Sequence, residues 1–194
     1  MLTVTNIVSL IAGMPTFTSS PATTVIPAIA ALGECGEVNI FYTGFPPHHP
    51  LVEAQGWDPI RVDIGLRNDT LNLINAGYNV HVVWAGPETP ITVMEDRLKQ
   101  KGVDFDLVGI GWGMRGATIK TIVRRFEDLV DMYKRNVPWL PIVFNYSPES
   151  IVWSVAHRLP MREDCAVLGK PGKLLGYEEI CDDRCDKHEI HDEL

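Results

Sequence analysis

No apolar run in this sequence approaches the roughly 20 residues that a helix needs to cross a bilayer, which excludes a helical membrane span. Basic residues are in deficit. The 17 Lys and Arg face 25 Asp and Glu, giving a formal net charge of −8. That argues against nucleic acid, whose binding rests on neutralising phosphates with Lys and Arg. Cysteine is scarce, and Cys35, Cys165, Cys181 and Cys185 are too unevenly spaced to read as a disulfide scaffold. Catalytic signatures are missing as well. There is no Gly-Lys-Ser/Thr phosphate loop, no Gly-x-Ser-x-Gly elbow, no His-Glu-x-x-His pair and no Tyr-x-x-x-Lys pair. The turn Gly44-Phe45-Pro46-Pro47-His48 lacks the hydroxyls of a flavin phosphate loop. No internal repeat is present. These absences count against the common users of α/β folds without naming an uncommon one, because fold does not fix function.

What is present suits one compact domain. A chain of 194 residues with 45% hydrophobic and 22% charged residues can bury a core without metals or disulfides. From Glu37 onward, strand and helix signals alternate. Val38–Thr43, Asn79–Ala85, Phe105–Ile110 and Leu140–Asn145 read as strands. Asp58 and Pro59 open a helix as N-cap and first helical residue, with Ile60, Ile64, Leu71 and Ile74 as its apolar positions and Gly77 as its stop. A short helix spans Ile91–Lys101. A longer one carries the stripe Ile119, Ile122, Val123, Phe126, Leu129, Val130 and Tyr133, with Arg124, Arg125, Glu127 and Asp128 on the solvated face. Ser147 is placed to cap a last helix running to Leu159.

This alternation predicts an α/β fold: a Rossmann-like or flavodoxin-like three-layer sandwich, with a parallel sheet of four or five strands and helices on both faces. The domain spans residues 37–160. Residues 1–36 form a further strand–helix unit or an arm, and 161–194 read as a charged tail.

Gly111-Trp112-Gly113-Met114-Arg115-Gly116 follows the third strand and precedes the long helix. Glycines allow tight turns and close approach of backbone to a ligand, and a following helix N-terminus favours an anion. The spacing matches the dinucleotide fingerprint, but the unit is not the first of the fold. The acid expected about 20 positions on is replaced by Asn145 at the end of the next strand.

Ligands bind open sheets of this kind at the carboxyl edge. The side chains delivered there are His48 and His49, Glu88, Arg115, and Asn145, Ser147 and Glu149. His48 and His49 are the candidates for proton transfer, since histidine titrates near neutrality. Gly111, Trp112, Gly113, Arg115, Gly116, Asn145 and Ser147 are the candidate substrate contacts. Arg115 could hold a carboxylate or stack on the Trp112 ring. Asn145 could orient a carbonyl or brace its own turn. The leading expectation is a cofactor-independent lyase, isomerase or hydrolase working on an anionic or carbonyl-bearing molecule by acid–base chemistry. Its alternatives are a non-catalytic ligand- or partner-binding module and a nucleotide or dinucleotide binder. No cofactor is predicted, with NAD(P) kept as the minor alternative. No metal is predicted either, since the spacing of Cys181, Cys185, His188 and His191 departs from zinc-finger patterns. The expected partner is a small-molecule ligand, and self-association into a homodimer is left open.

The stretch from Glu37 to Pro160 resembles a group of small single-domain proteins of fungi and bacteria that have no assigned activity. The resemblance rests on Gly109-Ile110-Gly111-Trp112-Gly113-Met114-Arg115-Gly116, on Phe126-Glu127-Asp128-Leu129-Val130, and on Phe144-Asn145-Tyr146-Ser147-Pro148-Glu149. It implies a Rossmann-like domain and brings no substrate and no catalytic roles.

His191-Asp192-Glu193-Leu194 matches an ER-retention signal. The apolar stretch Ile7–Ala12 has no Lys or Arg before it and makes a poor signal peptide. Cytoplasmic residence is therefore expected, with the ER lumen as the alternative.

Overall fold

The computed structural model describes residues 32–100 and 102–185. The expectations for the N-terminal strand–helix unit, for His188 and His191, and for the final tetrapeptide lie outside the described residues.

Five strands form one all-parallel sheet: β1 (Val38–Gly44), β2 (Tyr78–Ala85), β3 (Leu107–Ile110), β4 (Ile142–Phe144) and β5 (Leu174–Ile180). Their order is β4-β3-β1-β2-β5. Between them come α1 (Pro50–Glu53), α2 (Pro59–Asn75), α3 (Ile91–Leu98), α4 (Trp112–Arg115), α5 (Lys120–Asn136) and α6 (Ile151–Arg158). The helix α2 packs on β2 and α6, while α5 packs on β3 and α3, so the sheet is covered on both faces. That coverage explains why β1, β2 and β3 read as near-continuous apolar runs. The chain moves from β1 to β2, then crosses back over β1 to β3. The two connections leave a crevice above the carboxyl ends of β1 and β3, the place where open sheets bind ligands.

The start of α2 follows its sequence signals. Asp58 Oδ1 accepts from the Ile60 amide at 3.0 Å, Pro59 takes the first helical position, and Gly77 ends the helix at φ 99°. Its buried face is another matter. Ile60, Ile64 and Leu71 are exposed, and Val62, Leu66 and Leu73 face the core together with Asp69 and Thr70. Two apolar stripes run along this helix at similar spacing. The one that packs is the one interrupted by polar residues, because those residues have partners inside. Thr70 Oγ1 donates back to the Leu66 carbonyl at 2.7 Å.

Asp69 reaches α6. Its carboxylate accepts from the amides of Ile151 and Val152, the first two residues of that helix. The helix starts at Ile151, with Ser150 in the capping position, so Ser147 is not its cap. Ser147 sits one turn earlier, where its amide donates to Ser150 Oγ at 2.9 Å.

On α5 the apolar stripe largely packs inward, but Arg125 departs from expectation. It is 4% exposed rather than solvated.

The segment expected as a tail supplies the edge strand β5. Its charges are paired: Glu178 accepts from Arg97 Nε at 2.7 Å and bonds His81 at 3.1 Å, while Glu179 meets Arg67 at 3.4 Å. The scarcity of cysteine also misled. All four cysteines are bonded, as Cys35–Cys165 and Cys181–Cys185. Sequence spacing carries no information on which distant cysteines meet in space. Cys165 lies against Gly77, and the first bridge ties the chain before β1 to the segment leading into β5, at the amino edge of the sheet.

Candidate functional site

The crevice at the carboxyl ends of β1 and β3 holds a pocket. Its floor and walls come from Tyr42, Gly44 and Phe45, from Trp84 at the end of β2, from Gly111–Gly113, and from Asn145, Pro148 and Ile151. The α1–α2 region closes it with Gln55, Trp57, Val62 and Leu66. The lining is almost entirely apolar, and no Lys or Arg among the described residues takes part. The cavity is small, about 50 Å³, which is room for a few water-sized groups.

The glycine-rich turn behaves differently from a phosphate cradle. It coils into the single turn α4, and none of Gly111, Gly113 and Gly116 has positive φ. The glycines are there for space. The Cα of Gly111 approaches that of Gly44, so the ends of β3 and β1 come together over the pocket. A side chain at Gly116 would collide with the Trp112 ring. Gly109, in β3 two residues before Gly111, lies under the Tyr42 ring with no room for a Cβ.

Asn145 joins the two turns at the edge. It is 1% exposed. Its Oδ1 accepts from the Trp112 amide and its Nδ2 donates to the Ser147 carbonyl, both at 2.6 Å. The side chain therefore braces the pocket wall. Arg115 lies on the outside, its guanidinium 4.6 Å above the Trp112 ring and Nη2 donating to the Asn145 carbonyl at 3.3 Å. It does not line the pocket, and neither do Gly116 and Ser147.

Tyr42 is the polar residue that sequence reasoning passed over, since a tyrosine inside a β-rich run reads as core. It is fully buried, it lines the pocket, and its hydroxyl makes no hydrogen bond of normal geometry. Ser154 and the Asn145 backbone are its nearest polar neighbours. Burial, the dominant effect, pushes this hydroxyl well above the ordinary tyrosine range. The group is a permanent donor and not a base.

The two histidines stand apart from the pocket. His48 Nε2 lies 3.6 Å from Asp63, whose other oxygen accepts from Arg67 Nε at 2.8 Å. His49 is buried, caps α1 by accepting the Leu51 amide on Nδ1 at 3.1 Å, and meets Glu88 with Nε2 at 3.2 Å. The Phe45 ring, 5.5 Å from that of His49, belongs to the pocket wall. The edge thus divides into an apolar pocket over β1 and β3 and a polar cluster over β1, β2 and β5. In the second, His49, Glu88 and Cys181 are the one group of three potential metal ligands among the described residues. Sequence reasoning named His49 and Glu88 there but missed Cys181, because β5 was read as tail.

No helix among the described residues is long and apolar enough to cross a membrane. No family model matches the chain, and neither a curated protein nor a solved structure matches it.

Proposed function

We propose that the protein binds a small, uncharged organic molecule carrying a hydrogen-bond acceptor, such as a carbonyl, in the switch-point pocket. The observation that carries this reading is the pairing of an apolar, cation-free lining with a buried hydroxyl, that of Tyr42, whose polar neighbours are Ser154 and the Asn145 backbone. Ligand pockets commonly combine an apolar wall with a few placed polar groups. An anionic ligand fits less well, since Arg115 stacks outside. A nucleotide fits less well for the same reason, and the cavity is too small for one. Acid–base catalysis by His48 or His49 on the occupant is the weaker reading, because Phe45 stands between His49 and the pocket and both ring nitrogens of His49 are engaged. The two disulfides support an oxidising compartment over the reducing cytoplasm.

The test is a thermal-shift and tryptophan-fluorescence titration with matched small ketones, alcohols and carboxylates. Trp57, Trp84 and Trp112 line the pocket and report occupancy. Ketones and alcohols should raise Tm, and carboxylates of the same size should not. Tyr42→Phe should weaken ketone binding by about 1 kcal/mol, the net value of a neutral hydrogen bond. Stronger shifts with the carboxylates, or none with any series, would sink the proposal.

A further inference from the structure

The polar cluster at the ends of β1, β2 and β5 is not used by the pocket. Cys181 is the first residue after β5 and is bonded to Cys185 across Asp182-Asp183-Arg184. The Cys181 sulfur, a ring nitrogen of His49 and a Glu88 carboxylate oxygen lie within 4.8 Å of one another. Three strands remote in sequence thus bring a disulfide, an imidazole and a carboxylate to one spot. Both cysteines are partly exposed.

The hydrogen bonds fix what each group can do. The Leu51 amide donates to His49 Nδ1, so the neutral ring carries its proton on Nε2 and presents it to Glu88. This orientation disfavours a metal. A ligating histidine offers one bare nitrogen and donates its other N–H to an acceptor, whereas here the second nitrogen already faces a donor. Glu88 Oε1 is buried with no hydrogen-bond partner among the described residues. The carboxylate folds back over Gly86, where any side chain would collide with it. Arg184, inside the disulfide loop, comes within 3.8 Å of the other oxygen. The cluster therefore holds a positioned carboxylate beside a disulfide sulfur.

We propose that Cys181–Cys185 is a redox-active disulfide that exchanges with dithiols, with Glu88 taking the thiol proton and His49 positioning Glu88. Cys181 is the sulfur beside Glu88 and His49, so it is the leaving sulfur. Glu88 takes the proton of one thiol of the dithiol as that sulfur attacks Cys185 Sγ. The Cys181–Cys185 bond breaks, its electron pair goes to Cys181, and a mixed disulfide forms on Cys185. Glu88 then passes its proton to the Cys181 thiolate, and the substrate's second thiol gives its proton to water. The second substrate sulfur attacks the first, closing the product disulfide and releasing Cys185 as a thiolate, which takes a proton from water. Two electrons and two protons pass from the dithiol to the cysteine pair. The reverse sequence, against a disulfide compound, restores the resting state.

The experiment uses the full chain with dithiothreitol as the probe dithiol. Timed alkylation and peptide mapping report which bridge opens and how fast. Cys181–Cys185 should open and re-close while Cys35–Cys165 stays intact and the protein stays folded. Glu88→Gln should slow opening by about 100-fold, the lower range for loss of a general base. Its equilibrium with dithiothreitol and its Tm should hardly change, a split that a structural role would not produce. His49→Gln should slow opening less, and the double variant should be no slower than Glu88→Gln alone, because His49 acts through Glu88. Three outcomes would overturn the proposal. The bridge could resist dithiothreitol until the protein unfolds. Glu88→Gln could react at the wild-type rate. The reduced protein could instead take up one zinc ion that His49→Gln loses. None of these bears on the pocket, whose ligand titration is read separately.

Discussion

The Asp69 carboxylate of α2 accepts hydrogen bonds from the amides of Ile151 and Val152, which open α6 on the same face of the sheet. Asp69 is buried, and burial is the largest effect on it, raising its carboxyl above the ordinary 3.8 against the opposing pull of those amides. A folded-state pKa above the unfolded one means that this group's contribution to stability is full below 3.8 and is lost as pH rises through the raised value. Asp69→Ala should cost about 1–3 kcal/mol, because it leaves a buried amide unsatisfied. Asp69→Asn keeps an acceptor oxygen without the buried charge. Near neutral pH it should match or exceed wild type in urea unfolding, and the balance should swing toward wild type as the buffer is taken below the unfolded value. An Asn variant as unstable as the Ala variant near neutrality would show that the charge itself is required.

The glycines of the edge should separate cleanly under substitution. A methyl at Gly109 would run into the Tyr42 ring, so Gly109→Ala should cost about 1–3 kcal/mol as an overpacked core. At Gly113 the added Cβ would stand 3.4 Å from Phe45 Cδ2, an ordinary contact. Gly113→Ala should stay within about 0.5 kcal/mol of wild type while narrowing the pocket. Chemical denaturation ranks the two. Equal losses would mean that the turn needs backbone freedom its φ angles do not show.

The parallel sheet, the Asp58–Pro59 helix start and the presence of a crevice at the carboxyl edge were legible because they depend on local chemistry and on connection rules. What was missed depends on distant partners. Glu178 and Glu179 look like tail charges until Arg97, His81 and Arg67 are seen beside them. Asp69 and Thr70 look like a polar face until the α6 amides and the Leu66 carbonyl claim them. Asn145 was recognised as an edge residue, but no spacing reveals that the Trp112 amide and the Ser147 carbonyl occupy both ends of its amide. The histidines were found, yet only the crossing of strands decides that His49 meets Glu88 rather than the pocket.

The Cys35–Cys165 bridge spans a sequence separation of 130 residues. In the chain-entropy account, closing a loop of that length restricts the unfolded chain by about 5 kcal/mol, with measured native bridges giving about 2–5 kcal/mol. Replacing both cysteines with serine should lower unfolding free energy by that range in urea. Amide exchange should rise first in β5 and at the Gly33–Met161 bridge, which the disulfide holds beside the start of β1. Uniform exchange across the sheet, with no change in unfolding free energy, would remove the bridge from the account of stability.

Arg125 should prove expendable for stability. It is buried on α5, and its Nε and Nη2 have no hydrogen-bond partner among the described residues. Burial, the leading effect, pulls its pKa down, and the charges of Asp128 and Glu88 oppose that. Unsatisfied donors held away from water each carry a desolvation cost. Methionine follows a similar path in volume without that cost, so Arg125→Met should raise unfolding free energy by about 1–2 kcal/mol. Arg124 is exposed one position earlier on the same helix. Arg124→Met should stay within about 0.5 kcal/mol of wild type and serves as the control. If Arg125→Met instead loses stability, the attraction between the guanidinium and Glu88 outweighs its desolvation. The residue would then belong to the framework that holds the β2–α3 loop, and with it the carboxylate that faces Cys181.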